Sequence, residues 1–163
     1  MFTGRVWRYG DHVNTDLIIP GRYLDDDDLD SLSAHAMEDI DPSFGQGVRE
    51  GDVIVAGRNF GCGSSREQAP AVLRRRGVGA IFARSMARIF FRNAVNLGLP
   101  VIICPEAHDM LVAGDEVRVD LEKGRLARVS DGRTIEFEPL PPFLREIMES
   151  GGLVPYLRKR LGT

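Results

Sequence analysis

The residue pattern predicts an α/β fold, with a central parallel strand–helix layer and an antiparallel β meander after it. Three observations carry that prediction. Between Asp52 and Cys104, apolar runs of four or five residues alternate with two helical patterns. Strand–helix–strand units of this kind build parallel sheets through right-handed crossovers. Beyond Glu116 the chain changes to short alternating runs divided by Lys123-Gly124 and Asp131-Gly132, and Asp-Gly is a strong hairpin signal. Finally, 163 residues with 43 % hydrophobic content suffice for one sizeable core, so a single domain over residues 1–163 is expected.

Each element follows in order. Val6-Trp7-Arg8-Tyr9 reads as a short strand, with a turn at Gly10-Asp11. The polar cluster Asp11, Asn14, Thr15 and Asp16 precedes Leu17-Ile18-Ile19, a buried-looking strand stopped by Pro20-Gly21. Such a cluster either makes Asx turns or orients a hydroxyl or an arginine. After Arg22-Tyr23-Leu24 comes the acidic run Asp25 to Asp28. Like charges repel, so the run reads as a solvated loop, with a cation site as the other reading. Ser31 to Met37 has the pattern of a short helix, and Pro42 to Gly47 that of a loop.

Asp52 to Ala56 is a strand, Glu67 to Arg76 a helix ended by Gly77, and Gly79 to Ala83 a strand. Ser85 stands where it would cap a helix from Met86 to Leu97. Gly98 sits at the position glycine prefers after a helix, with Pro100 just beyond. Pro100 to Cys104 completes the layer. The meander is Glu116 to Leu121, Leu126 to Val129 and Thr134 to Phe137. Pro141-Pro142 opens a helix to about Glu149, and Gly151-Gly152 breaks it. A last helix ends in Arg158-Lys159-Arg160, cations that complement a helix C-terminus.

Composition narrows the function. A net charge of −3 gives no global basic field for nucleic acid. No apolar run approaches the ~20 residues of a membrane span. Met1-Phe2-Thr3-Gly4-Arg5 lacks a charged-then-apolar signal pattern, so a cytoplasmic location is expected. Cys62 and Cys104 are the two cysteines, too few for a disulfide framework. His12, His35 and His108 are scattered and there is no Cys-x-x-Cys, so no metal is expected on this chain. An iron–sulfur cluster needs more cysteines than it has.

The most informative stretch is Gly57-Arg58-Asn59-Phe60-Gly61-Cys62-Gly63-Ser64-Ser65-Arg66-Glu67. It lies between a strand and a helix, where backbone N–H groups and the helix dipole favour an anion. Two hydroxyls stand there, and Arg66 can grip a carboxylate with two parallel hydrogen bonds. The stretch lacks the lysine of a P-loop, the third glycine of a dinucleotide fingerprint and the glycine spacing of a nucleophile elbow. A carboxylate or phosphate site is therefore one reading. The other is a Ser64-x-x-Glu67 capping box that only starts a helix; the two are compatible. On the following helix, Arg88 and Arg92 share a face, with Ile89, Phe90 and Ala94 toward the core. The arginines face the anion site, a partner chain or solvent.

Together these segments resemble the small subunits of isopropylmalate isomerases, in the aconitase superfamily. The resemblance rests on Gly10-Asp11 through Asn14-Thr15-Asp16, on Gly57 through Pro70, and on Ala83-Arg84-Ser85-Met86-Ala87-Arg88-Ile89-Phe90-Phe91-Arg92-Asn93. It spans most of the chain in order, and the Gly-Ser-Ser-Arg-Glu and Ser-x-Ala-Arg-Ile segments are specific in combination. It implies the swivelling β/β/α domain, closing over a four-iron, four-sulfur cluster held by a separate large subunit. It also implies a dehydration and rehydration through an alkene, moving a hydroxyl between adjacent carbons of a small dicarboxylate in leucine biosynthesis.

By this resemblance Ser64 matches the catalytic base, Ser65 and Arg66 the carboxylate-binding residues, and Thr15 and Asp16 residues lining the same site. A serine base needs a strongly positive environment at neutral pH, and the resemblance offers the helix N-terminus, Arg66 and the partner's cluster. Relatives acting on tricarboxylates, such as homoaconitase, tend to place an arginine just after the Tyr-Leu pair; here Asp25 and Asp26 follow Tyr23-Leu24. Aspartates repel a third carboxylate, and Leu24 offers apolar contact to an isopropyl group. Arg22 could substitute if the loop folds back. The alternatives are a homoaconitase small subunit and a non-catalytic carboxylate-binding module; a serine hydrolase has no support beyond the two serines. The sequence does not fix the oligomeric state of the free chain, and the resemblance leaves self-association open when the partner is missing.

Overall fold

Strand β1 (Phe2–Arg8) organises the computed structural model, which describes residues 1–163. Its C-terminal half pairs in parallel with β2 (Val53–Ala56), in the register Val6 with Val53. Its N-terminal half pairs antiparallel with β5 (Glu116–Asp120), in the register Phe2 with Val119. On one side β3 (Ala80–Ala83) and β4 (Val101–Ile103) continue the parallel layer. On the other, β6 (Arg125–Arg128) and β7 (Thr134–Glu136) continue the antiparallel meander. The result is one curled seven-stranded mixed sheet in the order β4-β3-β2-β1-β5-β6-β7.

Both faces of the parallel layer are covered, which is why every residue of β2 and β3 is buried. Side chains alternate across a strand. Ile54, Ala56, Ile81 and Ala83 therefore enter one core with α4 (Gln68–Arg75) and α5 (Arg88–Asn96). Val53, Val55, Ala80 and Phe82 enter a second core with α6 (Pro105–Met110) and the meander residues Val117, Val119, Leu126 and Ile135. The last two helices are α7 (Pro142–Glu149) and α8 (Leu153–Leu161).

The predicted alternation of strands and helices holds, and several details differ. β1 begins at Phe2 and not at Val6. Leu17-Ile18-Ile19 is not a strand: α1 (Thr15–Ile18) is a helical turn whose N-cap, Asn14, accepts the Leu17 N–H at 2.9 Å. This is the Asx chemistry that competes with extended structure. The helix predicted for Ser31 to Met37 is the shorter α2 (Leu29–Ser33), capped by Asp28. Inside the predicted loop at Pro42 to Gly47 lies another helical turn, α3 (Phe44–Gly47). α5 starts at Arg88, and Ser85 does not cap it; the Ser85 hydroxyl instead accepts the Asn59 N–H at 2.8 Å. Ile89, expected in the core, is 50 % exposed, while Phe90 and Ala94 are buried. At the other end of α5, Gly98 takes φ +79° and the Leu99 N–H bonds back to the Ala94 carbonyl at 2.9 Å, the closure that glycine at this position permits.

Candidate functional site

Two loops leave the C-terminal edge of the parallel layer side by side, the edge at which open α/β sheets bind ligands. Residues 9–15 follow β1 and residues 57–66 follow β2. Backbone hydrogen bonds zip them together: Gly57 N–H to Gly10 O at 3.1 Å, His12 N–H to Arg58 O at 2.8 Å, Gly61 N–H to Val13 O at 2.8 Å and Thr15 N–H to Cys62 O at 2.9 Å. Asp11 adds a side-chain tie, its Oδ1 accepting the Arg58 N–H at 2.6 Å. That bond, helped by the charge of Arg58, holds the Asp11 carboxyl below the usual carboxylate range.

The glycine-rich loop is wedged between this partner and α5. Gly61 has φ +77°, and a Cβ there would lie 2.2 Å from Cγ of Phe90. Phe60 bridges to Met86 in parallel, which attaches the loop to the start of α5. His12 and Asn59 both take left-handed backbone conformations, φ 56° and 58°, and their side chains approach at 3.3 Å. Asparagine and histidine are both residue types enriched in this conformation.

The structure brings four of the six predicted site residues together. The buried Thr15 hydroxyl lies 3.0 Å from the Ser64 carbonyl and 3.2 Å from Ser64 Oγ. The Ser64 carbonyl also accepts the Arg66 N–H at 2.9 Å. Ser64 itself is exposed. Arg66 pairs through Nη1 with Asp16 and donates from the same nitrogen to the Ile19 carbonyl at 3.2 Å. The capping-box reading is not what the loop does: the N-cap of α4 is Glu67, without a side-chain cap bond. The serine hydroxyl is committed to Thr15.

The remaining two sit at the margin. Ser65 is exposed at the loop tip. Leu24 is partly buried against the first core, at the end of the helical turn Gly21–Tyr23. That turn does reach the site. A Cβ on Gly21 would lie 3.4 Å from Arg66 Nη2 and 3.7 Å from Asp16 Oδ1. Sequence reasoning had no signal for this close approach, nor for the Ile19 carbonyl as an acceptor. Arg22 is engaged by acidic partners. Its guanidinium is bound bidentately by Asp39, at 2.7 and 3.0 Å, and by Glu38 at 3.0 Å.

A second polar cluster braces the same edge from below. Tyr9 O, at the exit of β1, lies 3.2 Å from His108 Nε2, and His108 Nδ1 faces Arg8 and Arg84 at 3.3 Å each. Two arginine donors at Nδ1 leave the ring proton on Nε2, directed at the Tyr9 carbonyl. Arg88 and Arg92, on α5, are exposed.

The four clustered residues form an open surface and not an enclosed pocket. A cleft of about 630 Å³, lined by residues including Val78, Gly79 and Pro100, opens at the opposite, N-terminal edge of the sheet. No three His, Cys, Asp or Glu side chains gather into a possible metal site, and Cys62 and Cys104 are both free. The residues of this chain thus do not supply a ligand set for an iron–sulfur cluster. No helix is long and apolar enough to cross a membrane.

Comparison with known proteins gives a consistent picture. Residues 12–106, which contain both loops, match the aconitase C-terminal domain family. The 3-isopropylmalate dehydratase small subunit of Thermodesulfovibrio yellowstonii is 49 % identical over 97 % of this chain and 94 % of its own length. The methanogen homoaconitase small subunit of Methanothermobacter thermautotrophicus is 53 % identical over 98 % of this chain and 92 % of its own. Among solved structures, the 3-isopropylmalate dehydratase of Methanocaldococcus jannaschii superimposes with a TM-score of 0.91 at 48 % identity. That match covers 98 % of this chain and 94 % of the other.

Proposed function

The chain belongs to the aconitase C-terminal domain family, among the small subunits of 3-isopropylmalate dehydratases, and from that premise we propose which residues form its half of a shared active site. It is the small subunit of a hydro-lyase that interconverts 2-isopropylmalate and 3-isopropylmalate, and its relatives, being small subunits, imply a large subunit as partner. Residues 1–163 act as one swivelling domain, and the iron–sulfur cluster is assigned to the large subunit. A cytoplasmic setting agrees with two unpaired cysteines.

The observation that carries the assignment is the convergence of Thr15, Asp16, Ser64 and Arg66 on an open surface at the C-terminal sheet edge. Arg66 binds a substrate carboxylate. Asp16 and the Ile19 carbonyl occupy Nη1, which fixes the guanidinium plane and leaves its other donors for the ligand. Ser65, at the exposed tip, adds a hydroxyl to the same carboxylate. Ser64, as its alkoxide, takes the proton from the carbon beside that carboxylate and becomes the neutral hydroxyl, while the C–H electron pair closes the alkene and the hydroxyl leaves the adjacent carbon. The cluster assigned to the large subunit would supply the Lewis acidity for that departure. Water then adds with its hydroxyl on the first carbon, and Ser64 returns its proton to the other.

An unassisted serine is a poor base. Thr15 supplies part of the assistance, because its single hydroxyl hydrogen has two acceptors within reach, the Ser64 carbonyl and Ser64 Oγ. Rotating from the first to the second places a donor on the Ser64 oxygen while it is anionic, before it takes the carbon's proton. The Arg66 N–H keeps the carbonyl satisfied meanwhile. Leu24 supplies apolar contact to the isopropyl branch.

Reconstitution tests this. The purified chain alone is expected to be inactive on 3-isopropylmalate, and adding the matching large subunit is expected to restore turnover. In that complex Ser64→Ala should lower kcat about a hundredfold or more with little change in KM. Unchanged kcat removes Ser64 from the role of base.

A further inference from the structure

We propose that Glu38 and Asp39 form a specificity clamp: by neutralising Arg22 and engaging its guanidinium, they make the site reject a third carboxylate. This rests on the reading of Ser64, Arg66 and Thr15 as a dicarboxylate site. The turn Gly21–Tyr23 is the part of this chain packed against Arg66, with the Gly21 Cβ position 3.4 Å from Nη2. Arg22 starts only one Cα step, about 3.8 Å, further along. It is the one cation on that turn, and an arginine spans more than that distance.

The structure spends this cation elsewhere. Asp39 takes both Nη groups, Glu38 takes Nη2, and the guanidinium lies over the Tyr23 ring at 4.7 Å. Glu38 is itself fixed by the Tyr23 hydroxyl at 2.7 Å and by His35 Nδ1 at 2.5 Å, and His35 stacks on Tyr23 at 3.8 Å. The clamp is therefore a built network, with each carboxylate oriented by a second partner or a bidentate grip. Immediately after the turn, Asp25, Asp26, Asp27 and Asp28 are all exposed. The side of the site next to Arg66 thus carries no free positive charge from this turn. A substrate bearing two carboxylates and an apolar branch needs no further cation there; one with a third carboxylate finds no partner on this turn.

The clamp is tested in the complete complex by comparing kcat/KM for 3-isopropylmalate and for homoaconitate. Asp39→Asn removes the bidentate grip and leaves the bonds of Glu38 to Tyr23 and His35 in place, so the turn is kept. The expected result is a shift of about tenfold in the kcat/KM ratio toward homoaconitate, the scale of one charge-assisted contact. Glu38→Gln with Asp39→Asn should extend the shift. Adding Arg22→Gln to either should cancel it, because the gain depends on the released guanidinium. A ratio unmoved by Asp39→Asn, or a gain that survives Arg22→Gln, overturns the clamp. Absence of isopropylmalate turnover by the unaltered complex would instead overturn the dicarboxylate reading, so the two failures are distinguishable.

Discussion

Gly61 shows how much of the site depends on single backbone positions. At φ +77° any L side chain is strained, by about 1–2 kcal/mol. Its Cβ would also enter the buried ring of Phe90, 2.2 Å from Cγ, and overpacking a core costs about 1–3 kcal/mol more. Gly61→Ala is therefore expected to destabilise the chain by about 2–5 kcal/mol, measured by urea unfolding. A loss under about 1 kcal/mol would mean that the loop moves freely over α5. The need for glycine was visible in the sequence as a glycine-rich turn, but its reason was not, because Phe90 comes 29 positions later. The same limit applied to Ser64. Spacing to Glu67 suggested a helix cap, whereas the hydroxyl's actual partner, Thr15, lies 49 residues away. Local spacing cannot rank a neighbour in sequence against a neighbour in space.

At the scale of elements, long periodic segments were legible and short capped ones were not. α4, α5, α7 and the β strands followed their periodicities to within a few residues. α1 and α3, four residues each, are too short for a periodic signal, and a side-chain cap or tertiary packing decides them. The segment from Gly21 to Asp39 belongs to this second class. What holds it is the network of Tyr23, His35, Glu38, Arg22 and Asp39, and this makes its stability depend on acid. Hydrogen bonds from Tyr23 and His35, then Arg22, hold the Glu38 carboxyl down at about 2 from an ordinary 4.5. A carboxyl lowered on folding contributes stability that is complete above its unfolded pKa and lost as pH falls through its folded one. The window is therefore from about pH 4.5 down to about pH 2. Glu38→Gln should lower the urea midpoint near about pH 6, with the difference from the unaltered chain shrinking toward about pH 2.5. A difference that stays constant over that range would show that Glu38 carries no charge-linked stability.

Across the whole molecule the two edges of the parallel layer do separate work. The C-terminal edge carries Thr15, Ser64 and Arg66. The N-terminal edge carries Asp52, a buried carboxylate at the start of β2. It accepts the Arg5 N–H, the Trp7 Nε1–H and the Arg49 N–H, each at 2.9 Å. Those bonds tie β1 to the entrance of β2, the point where the sheet passes from its parallel half to its antiparallel half. Asp52→Ala would remove three hydrogen bonds to one carboxylate, each contributing about 1 kcal/mol or more. Stability should fall by about 3 kcal/mol or more. Because β2 lies between Asp52 and the glycine-rich loop, and the loops are fastened to each other by their own backbone bonds, kcat of the assembled complex should stay within about twofold of the unaltered enzyme. Urea unfolding of the chain and turnover in the complex check the two halves of this claim. If kcat dropped in step with stability, the sheet would be transmitting strain from one edge to the other. Ser64 and Arg66 would then depend on the whole fold for their placement, and not on the zipped loops alone.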